Sequence, residues 1–356
     1  MIRVVHIWPK VVLIRPDKSK YKWCGYSQNE LSRRRRGEVS AVSTDQPTGP
    51  TDGNGNGNGN GIHDTHGDYR IVSLCPSNTE LVCALGLSGF LVGIDNYSDY
   101  PPDVVRGLPR LGPDLHIDVE AVTKLSPHLV ISSLSVPGME KVVDAVAAAG
   151  LPQVVLSPHS FEDIYADLRT LADEVPEDVL PTDAASELIN TLRQRVDAVG
   201  EWTRTHVKPE ERAKLYWEWW PNPVFSPGQG NWLTELSALA GAHNIFSDLA
   251  GDSIQDDGTL VAKRDPDWFL AAWTGIPQSK VPMTKILARP EPWQSTTAYR
   301  EQSIVILSEG LYCRPSHRLV DGLEQLVGLL YPQSVADLGL RQPEEYAPIR
   351  RVPESQ

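Results

Sequence analysis

The sequence predicts an α/β protein in which two Rossmann-like lobes are joined by one long interlobe helix and a ligand cleft lies between the lobes. Three observations carry this. From Tyr69 onward, short apolar runs alternate with amphipathic stretches, the pattern of parallel βα units. Residues 183–206 carry a single apolar stripe long enough to bridge two lobes. KLSPHLVISS (124–133) and KRDPDWFLAAW (263–273) repeat one order of features: helix end, proline, strand. At 356 residues, the chain is also too long for one ordinary core.

The elements follow in order. IVSL (71–74) reads as a strand broken by Pro76, and Ser77 with Glu80 fits a capping box at a helix start. FLVGI (90–94) is the next strand, VEAVTKL (119–125) a short helix stopped before Pro127, and HLVIS (128–132) a strand. MEKVVDAVAAAG (139–150) is a helix ending on Gly150, and QVVLS (153–157) is another strand. Ser160 with Asp163 caps the helix FEDIYADLRTLADEV (161–175). Within 183–206, Leu188, Leu192, Val196, Val199 and Trp202 recur at intervals of 4, 4, 3 and 3. Such a helix spans roughly 36 Å at about 1.5 Å per residue. KLYWEWW (214–220), WFLAAW (268–273) and SIVIL (303–307) read as strands, and WLTELSALAGA (232–242) as a helix. Leu319, Leu323, Leu326 and Leu330 mark the last helix. A single connecting helix hinges poorly, so small closure motions are expected.

The predicted organisation is a low-complexity extension (1–68), a first lobe (69–182), a linking helix (183–206), a second lobe (207–340) and a tail (341–356). The extension contains TDGNGNGNGNG, and Ile62 is its only aliphatic residue beyond Val42, so a flexible linker is expected. Pro9 and Lys10 interrupt the apolar start, and GEVSAVSTDQP rather than an apolar stretch follows Arg33 to Arg36. No export signal is visible, which reads as cytoplasmic on the sequence as given. No apolar run approaches the ~18 residues of a membrane helix.

Charge narrows the partners. The chain carries −13 overall, with +3 on residues 1–68 and −16 on the remainder. An acidic body argues against nucleic acid and suits a neutral ligand or a basic protein partner. Four cysteines (24, 75, 83, 313) form no CxxC, and Cys75 and Cys83 read as small core residues.

Motifs of catalysis are few. There is no P-loop, GxSxG elbow or HExxH. Gly228-Gln229-Gly230 lacks the third glycine of a dinucleotide fingerprint and reads as a turn. Asp114-Leu-His116 has Val119 where a cobalt-ligating Asp-x-His-x-x-Gly motif needs glycine. Binding signals are better. Ligands of open α/β sheets bind beyond the carboxyl ends of strands. Tyr97 follows FLVGI, and Trp217, Trp219 and Trp220 end KLYWEWW, with Trp217 and Trp219 on one face and Trp220 on the other. Flat aromatics at such a place suit a broad apolar ligand.

Three segments, RIVSLCPSNTELVCALGL (70–87), YSDYPPDVVRGLPRLGPDLHIDVEAVTKLSPHLVISS (97–133) and CRPSHRLVDGLEQL (313–326), resemble in order and spacing the cobalamin-binding members of the substrate-binding proteins of ABC importers, in the helical-backbone superfamily that also takes ferric siderophores. The resemblance implies non-enzymatic binding of cobalamin or a related corrinoid for uptake, the corrinoid being cargo and no cofactor being resident. It implies that Tyr97, Trp217, Trp219 and Phe225 form the aromatic contacts, that Arg314 meets the ligand's polar side, and that Glu120 docks to the permease of the importer. It also implies a monomer and an extracytoplasmic location. The pattern departs from the family in places. Asp114, Ser133 and Ser253 stand where some relatives have tryptophan, Gly310 beside Glu309 replaces an acidic contact, and Thr259, just after Asp256 and Asp257, replaces the second docking glutamate. A pocket rebuilt around Trp217 to Trp220 and Trp273 would follow. Two alternatives stay open: ferric-siderophore or haem binding on the same fold, for which Arg106, Arg110 and Arg314 are few and scattered cations, and a cytosolic corrinoid carrier or corrinoid-acting enzyme using His116, His159 or Glu309.

Overall fold

A computed structural model describes residues 69–341 and 343–350. The expectations for residues 1–68 and the last residues of the tail lie outside the described residues.

The first lobe is built from β1 (Ile71–Ser73), α1 (Pro76–Ala84), β2 (Leu91–Ile94), α2 (Val119–Lys124), β3 (Leu129–Ser133), α3 (Glu140–Ala148), β4 (Gln153–Leu156) and α4 (Phe161–Glu174). Its four strands run parallel in the order β2-β1-β3-β4. α5 (Ala184–His206) leads to the second lobe, where β5 (Lys214–Glu218), β8 (His243–Asn244), β10 (Trp268–Ala271) and β11 (Ile304–Ile306) repeat that order as β8-β5-β10-β11. β12 (Ile349–Arg350) adds an antiparallel edge beside β11, so the region expected as a tail closes the sheet. A small antiparallel sheet of β6 (Trp220–Pro221), β7 (Val224–Pro227) and β9 (Ser253–Asp256) grows from the end of β5. The other helices used below are α6 (Trp232–Leu239), α7 (Thr259–Arg264), α8 (Glu309–Tyr312) and α9 (Leu319–Leu330).

Central strands are apolar on both faces because both faces are covered. Ile71 joins the main core cluster while Val72 turns to a second cluster with Val122, Val142 and Val146. In β5, Leu215 and Trp217 enter the main core while Tyr216 packs with Phe246, Phe269 and Trp293 on the other side. The main core runs unbroken from Ile71 through Ile189, Leu192, Val196, Val199 and Trp202 of α5 to Leu329, so the linking helix is a shared wall of both lobes. Among the described residues no helix is long and apolar enough to cross a membrane.

The internal repeat extends to backbone conformation. α2 and α7 are each followed by a non-glycine residue with positive φ directly before a proline, Ser126 (φ 46) and Asp265 (φ 47). That conformation is uncommon for either residue type, and its recurrence fixes the turn into β3 and into β10 in the same way. The same alignment sets Thr259 opposite Glu120.

Two local expectations need correction. The capping box at Ser77 and Glu80 does not form: α1 begins at Pro76 with Cys75 as N-cap, no side chain caps it, and Glu80 is fully buried. Proline at the first helical position already removes one orphan N–H, and Glu80 is drawn to the opposite lobe instead. The stripe on α5 is displaced as well, with Ile189 buried and Leu188 only half-buried. Ser160, by contrast, accepts the amide of Asp163 at 3.1 Å, and the Asp163 carboxylate accepts the His159 amide at 3.0 Å.

Candidate functional site between the lobes

The first-lobe rim is shaped by a buried acid. β2 ends at Ile94, and the next residue, Asp95, accepts the backbone N–H groups of Tyr97 and Ser98 at 2.6 and 3.0 Å and the Ser98 hydroxyl. Ser98 in turn meets the Thr79 hydroxyl at 2.7 Å, and Thr79 reaches Ser73 at 2.8 Å, which ties the rim to α1 and the end of β1. Burial pushes the Asp95 carboxyl up, and the hydrogen bonds from Ser98 and Tyr97 pull it back. Arg110 spends its guanidinium on the carbonyls of Ser98, Asp95 and Val105. Tyr97 is thereby held half-buried at the carboxyl end of the sheet, with exposed Asp99 two residues on. The hydroxyls of Ser133 and Ser135, 2.8 Å apart, line the loop that leaves β3.

The second-lobe rim grows from β5. Trp219 is half-buried beside Trp232, with ring centroids 6.4 Å apart, and its backbone is clamped on both sides: its N–H donates to Phe225 at 3.1 Å and its carbonyl accepts from Thr274 at 3.0 Å. Trp220 pairs in register with Phe225 on the hairpin, so those two share a face. The turn at Gly228 to Gly230 lies against residues 249–252: a Cβ on Gly228 would sit 2.3 Å from the Gly251 carbonyl, so only glycine permits this approach. Under the rim, the fully buried Glu218 carboxylate binds Arg289 through both oxygens at 2.6 and 2.7 Å and also accepts from Tyr216 and Trp273.

Charge joins the lobes. Glu80 of α1 accepts from Arg314 at 3.1 Å, from Arg318 at 3.0 Å and from the Ser316 hydroxyl at 2.5 Å. Arg314 also binds both oxygens of Asp99, at 2.5 and 3.2 Å, and Glu309 at 2.5 Å. Arg318 lies 3.8 Å over the ring of Tyr100. Burial raises the Glu80 carboxyl, opposed by the two arginines. Burial alone would lower Arg314, but Glu309, Asp99 and Glu80 more than offset it and hold it well above the ordinary value. A second crossing lies beside α5: the Phe161 N–H at the start of α4 donates to Glu235 of α6 at 2.9 Å, and His159 faces Asp252 at 3.7 Å.

The sequence-predicted residues fall into three groups. Tyr97 and Trp219 stand half-buried at the rims, whereas Arg314 is covered and bonded across to Asp99 of the Tyr97 loop. Phe225 adjoins Trp219 through the backbone but is only 9 % exposed, and Trp273 is equally covered. Trp217 belongs elsewhere: it is 1 % exposed, donates its indole N–H to Ser237 at 2.9 Å and packs on Tyr312, so the expectation of a ligand contact gives way to a core role. It shares the Trp219 face by alternation, but one pleat deeper. Glu120 is exposed on the first turn of α2. Of the residues an enzymatic reading would use, Glu309 is bonded to Arg314 and His116 is exposed. Sequence reasoning missed Glu80, Asp99, Ser316 and Arg318. The available signal was two arginines four apart in CRPSHR, at a helix entry, which demand acidic partners once buried.

The profile of the family described as periplasmic binding protein matches residues 71–310. An ABC transporter substrate-binding lipoprotein, YvrC, of Bacillus subtilis strain 168 is 26% identical over 270 residues, covering 74% of this chain and 81% of that protein. A vitamin B12-binding protein of Yersinia pestis strain Pestoides F is 27% identical over 260 residues, covering 72% and 84%. Among solved structures, the periplasmic vitamin B12 binding protein BtuF of Vibrio cholerae superposes with a TM-score of 0.61 at 22% identity, over 73% of this chain and 96% of that one. The periplasmic heme-binding protein RhuT of Roseiflexus sp. RS-1 gives 0.65 at 22% identity, over 75% and 99%. The two structures share the fold, and the ligands in their names differ.

Proposed function

This chain belongs to the periplasmic binding protein family, and we propose that it binds cobalamin or a related corrinoid in the interlobe cleft and delivers it to an ABC-type importer. The reading places the protein outside the cytoplasm, with a permease as partner and no chemistry of its own. The observation that carries it is the rim of the second lobe, where half-buried Trp219 stands at the carboxyl end of β5 with its backbone clamped by Phe225 and Thr274. A fixed indole offers stacking area at little entropic cost. Tyr97 is half-buried on a loop held by Asp95, and the hydroxyl of half-buried Ser135, backed by that of buried Ser133, suits the amide-rich edge of a corrin ring.

The relatives named for vitamin B12 support the corrinoid over other cargo, and the heme-binding neighbours keep a flat tetrapyrrole as the common denominator. Titration of the purified chain with hydroxocobalamin and cyanocobalamin, followed by tryptophan quenching and calorimetry, tests the reading. A dissociation constant of about 1 µM or tighter, roughly −8 kcal/mol, is expected. Absence of binding by both forms overturns the corrinoid assignment, and haem and ferric siderophores then become the ligands to titrate.

A further inference from the structure

We propose that the cleft sorts its ligands by charge at Asp99, admitting neutral and cationic corrinoids and turning away ligands that carry carboxylates; this deepens the corrinoid reading and rests on it for the identity of the ring. Two guanidiniums, Arg314 and Arg318, face three carboxylates, Glu80, Asp99 and Glu309, so the fully ionised cluster holds one negative charge in excess. Exposure is unequal within it. The side chains of Glu80, Arg318, Arg314 and Glu309 are 0, 4, 9 and 13 % exposed, while that of Asp99 is 68 % exposed. The arginines are covered, and the group the cluster shows to solvent is an acid.

Arg314 has little left to offer an incoming anion. Its terminal nitrogens donate to Glu80, to both oxygens of Asp99 and to Glu309. A ligand carboxylate could reach this guanidinium only by displacing one of those groups, which exchanges like for like and leaves a displaced carboxylate beside it. Arg110, on the first-lobe rim, is bonded to backbone carbonyls and serves the loop. A neutral amide meets no such conflict, because it can donate an N–H to a remaining lone pair of the exposed Asp99 carboxylate while Arg314 stays paired. A cationic corrinoid gains further attraction.

The test uses the full chain and four probes of known charge: cyanocobalamin, a monocarboxylic acid of cyanocobalamin made by hydrolysing one side-chain amide, aquacobinamide and haem. The monocarboxylate should bind about tenfold more weakly than cyanocobalamin at low salt, and the gap should narrow as ionic strength rises. Aquacobinamide should bind at least as tightly as cyanocobalamin, and haem should bind poorly. Asp99→Asn should bring the two cobalamin forms to within about twofold of each other. Equal binding of the two forms by the parent protein, or an unchanged ratio in Asp99→Asn, overturns the charge filter while sparing the corrinoid reading. If no corrinoid binds, the reverse separation is available. Gain of haem binding by Asp99→Asn combined with Glu309→Gln upholds the filter and discards the corrin, whereas failure of that double variant to take a carboxylate ligand overturns the filter too.

Discussion

Glu80 and Arg314 lie 3.1 Å apart although 234 positions separate them in the chain, and their contact joins the first lobe to the second. Glu80 is fully buried there, with Arg318 and Ser316 as its other partners. Taking charges out of water is costly, and the pair is tolerated because each oxygen and each guanidinium is engaged. Removing one partner strands the rest. Glu80→Ala should therefore destabilise the protein by about 3–5 kcal/mol, read as a shift of the urea midpoint. Glu80→Gln keeps an acceptor for Ser316 and should cost less. If Glu80→Ala unfolds like the parent protein, the contact contributes nothing to holding the lobes together.

The tryptophans of β5 separate stability from binding. Trp217 is enclosed by the main core and bonded to Ser237, whereas Trp219 is half-exposed at the rim. Trp217→Ala should cost about 3–5 kcal/mol, as large-to-small core changes do. Trp219→Ala should cost less stability and weaken corrinoid binding by about tenfold, equivalent to about 1.4 kcal/mol. Paired calorimetry and denaturation on the two variants distinguish the roles, and a Trp219→Ala protein with parental affinity removes the proposed stacking contact.

Asp167 on α4 predicts a pH dependence of known sign. Burial, with the Asp163 carboxylate adding to it, pushes Asp167 from 3.8 up to about 7, and its Oδ2 accepts no hydrogen bond from the protein. A carboxyl whose folded value is raised contributes stability that is fully present below its unfolded value and lost as pH rises through the folded one. Stability from this group therefore falls as pH rises from about 4 to about 7, the window between the ordinary value of 3.8 and the folded value near 7. Asp167→Asn removes the titrating group, so the variant should be more stable than the parent at the upper end and converge with it toward the lower. Thermal denaturation across that range checks the convergence, and a constant offset at every pH contradicts the assignment.

Much of the fold was legible because it is written in local pattern. Apolar runs such as Ile71 to Leu74 and Leu129 to Ile131 mark strands covered on both faces, and Ser160 with Asp163 marks a helix start. The repeat around Pro127 and Pro266 announced two lobes, and Ser126 and Asp265 carry it down to φ. The site was less legible because its charges pair across hundreds of residues. Ser77-Asn78-Thr79-Glu80 satisfies a local rule, yet the partners that decide the fate of Glu80 lie at 314, 316 and 318. Alternation assigned Trp217 and Trp219 to one face correctly but carried no depth, and depth separates a core indole from a rim one. Glu218 and Arg289 show the same limit: neither announces in sequence that it forms a buried pair.

The docking expectation can be tested through the repeat. Glu120 is exposed on the first turn of α2, and Asp118 caps that helix by accepting the Ala121 amide at 3.0 Å, so Glu120 is left out of the capping. Just before the equivalent helix α7, whose first turn carries no acid, the acids are committed: Asp256 accepts the amides of Gly258, Leu260 and Val261, and Asp257 accepts that of Thr259. A permease that reads one carboxylate from each lobe would therefore find it on the first lobe at Glu120 and a hydroxyl on the second at Thr259. Glu120→Ala should leave stability within about 0.5 kcal/mol of the parent and leave corrinoid affinity unchanged. The same variant should slow association with the cognate transporter in reconstituted vesicles and lessen its salt dependence. Thr259→Glu should act in the opposite direction, strengthening docking by supplying the second charge. Equal transport by the parent and both variants would show that neither position meets the permease.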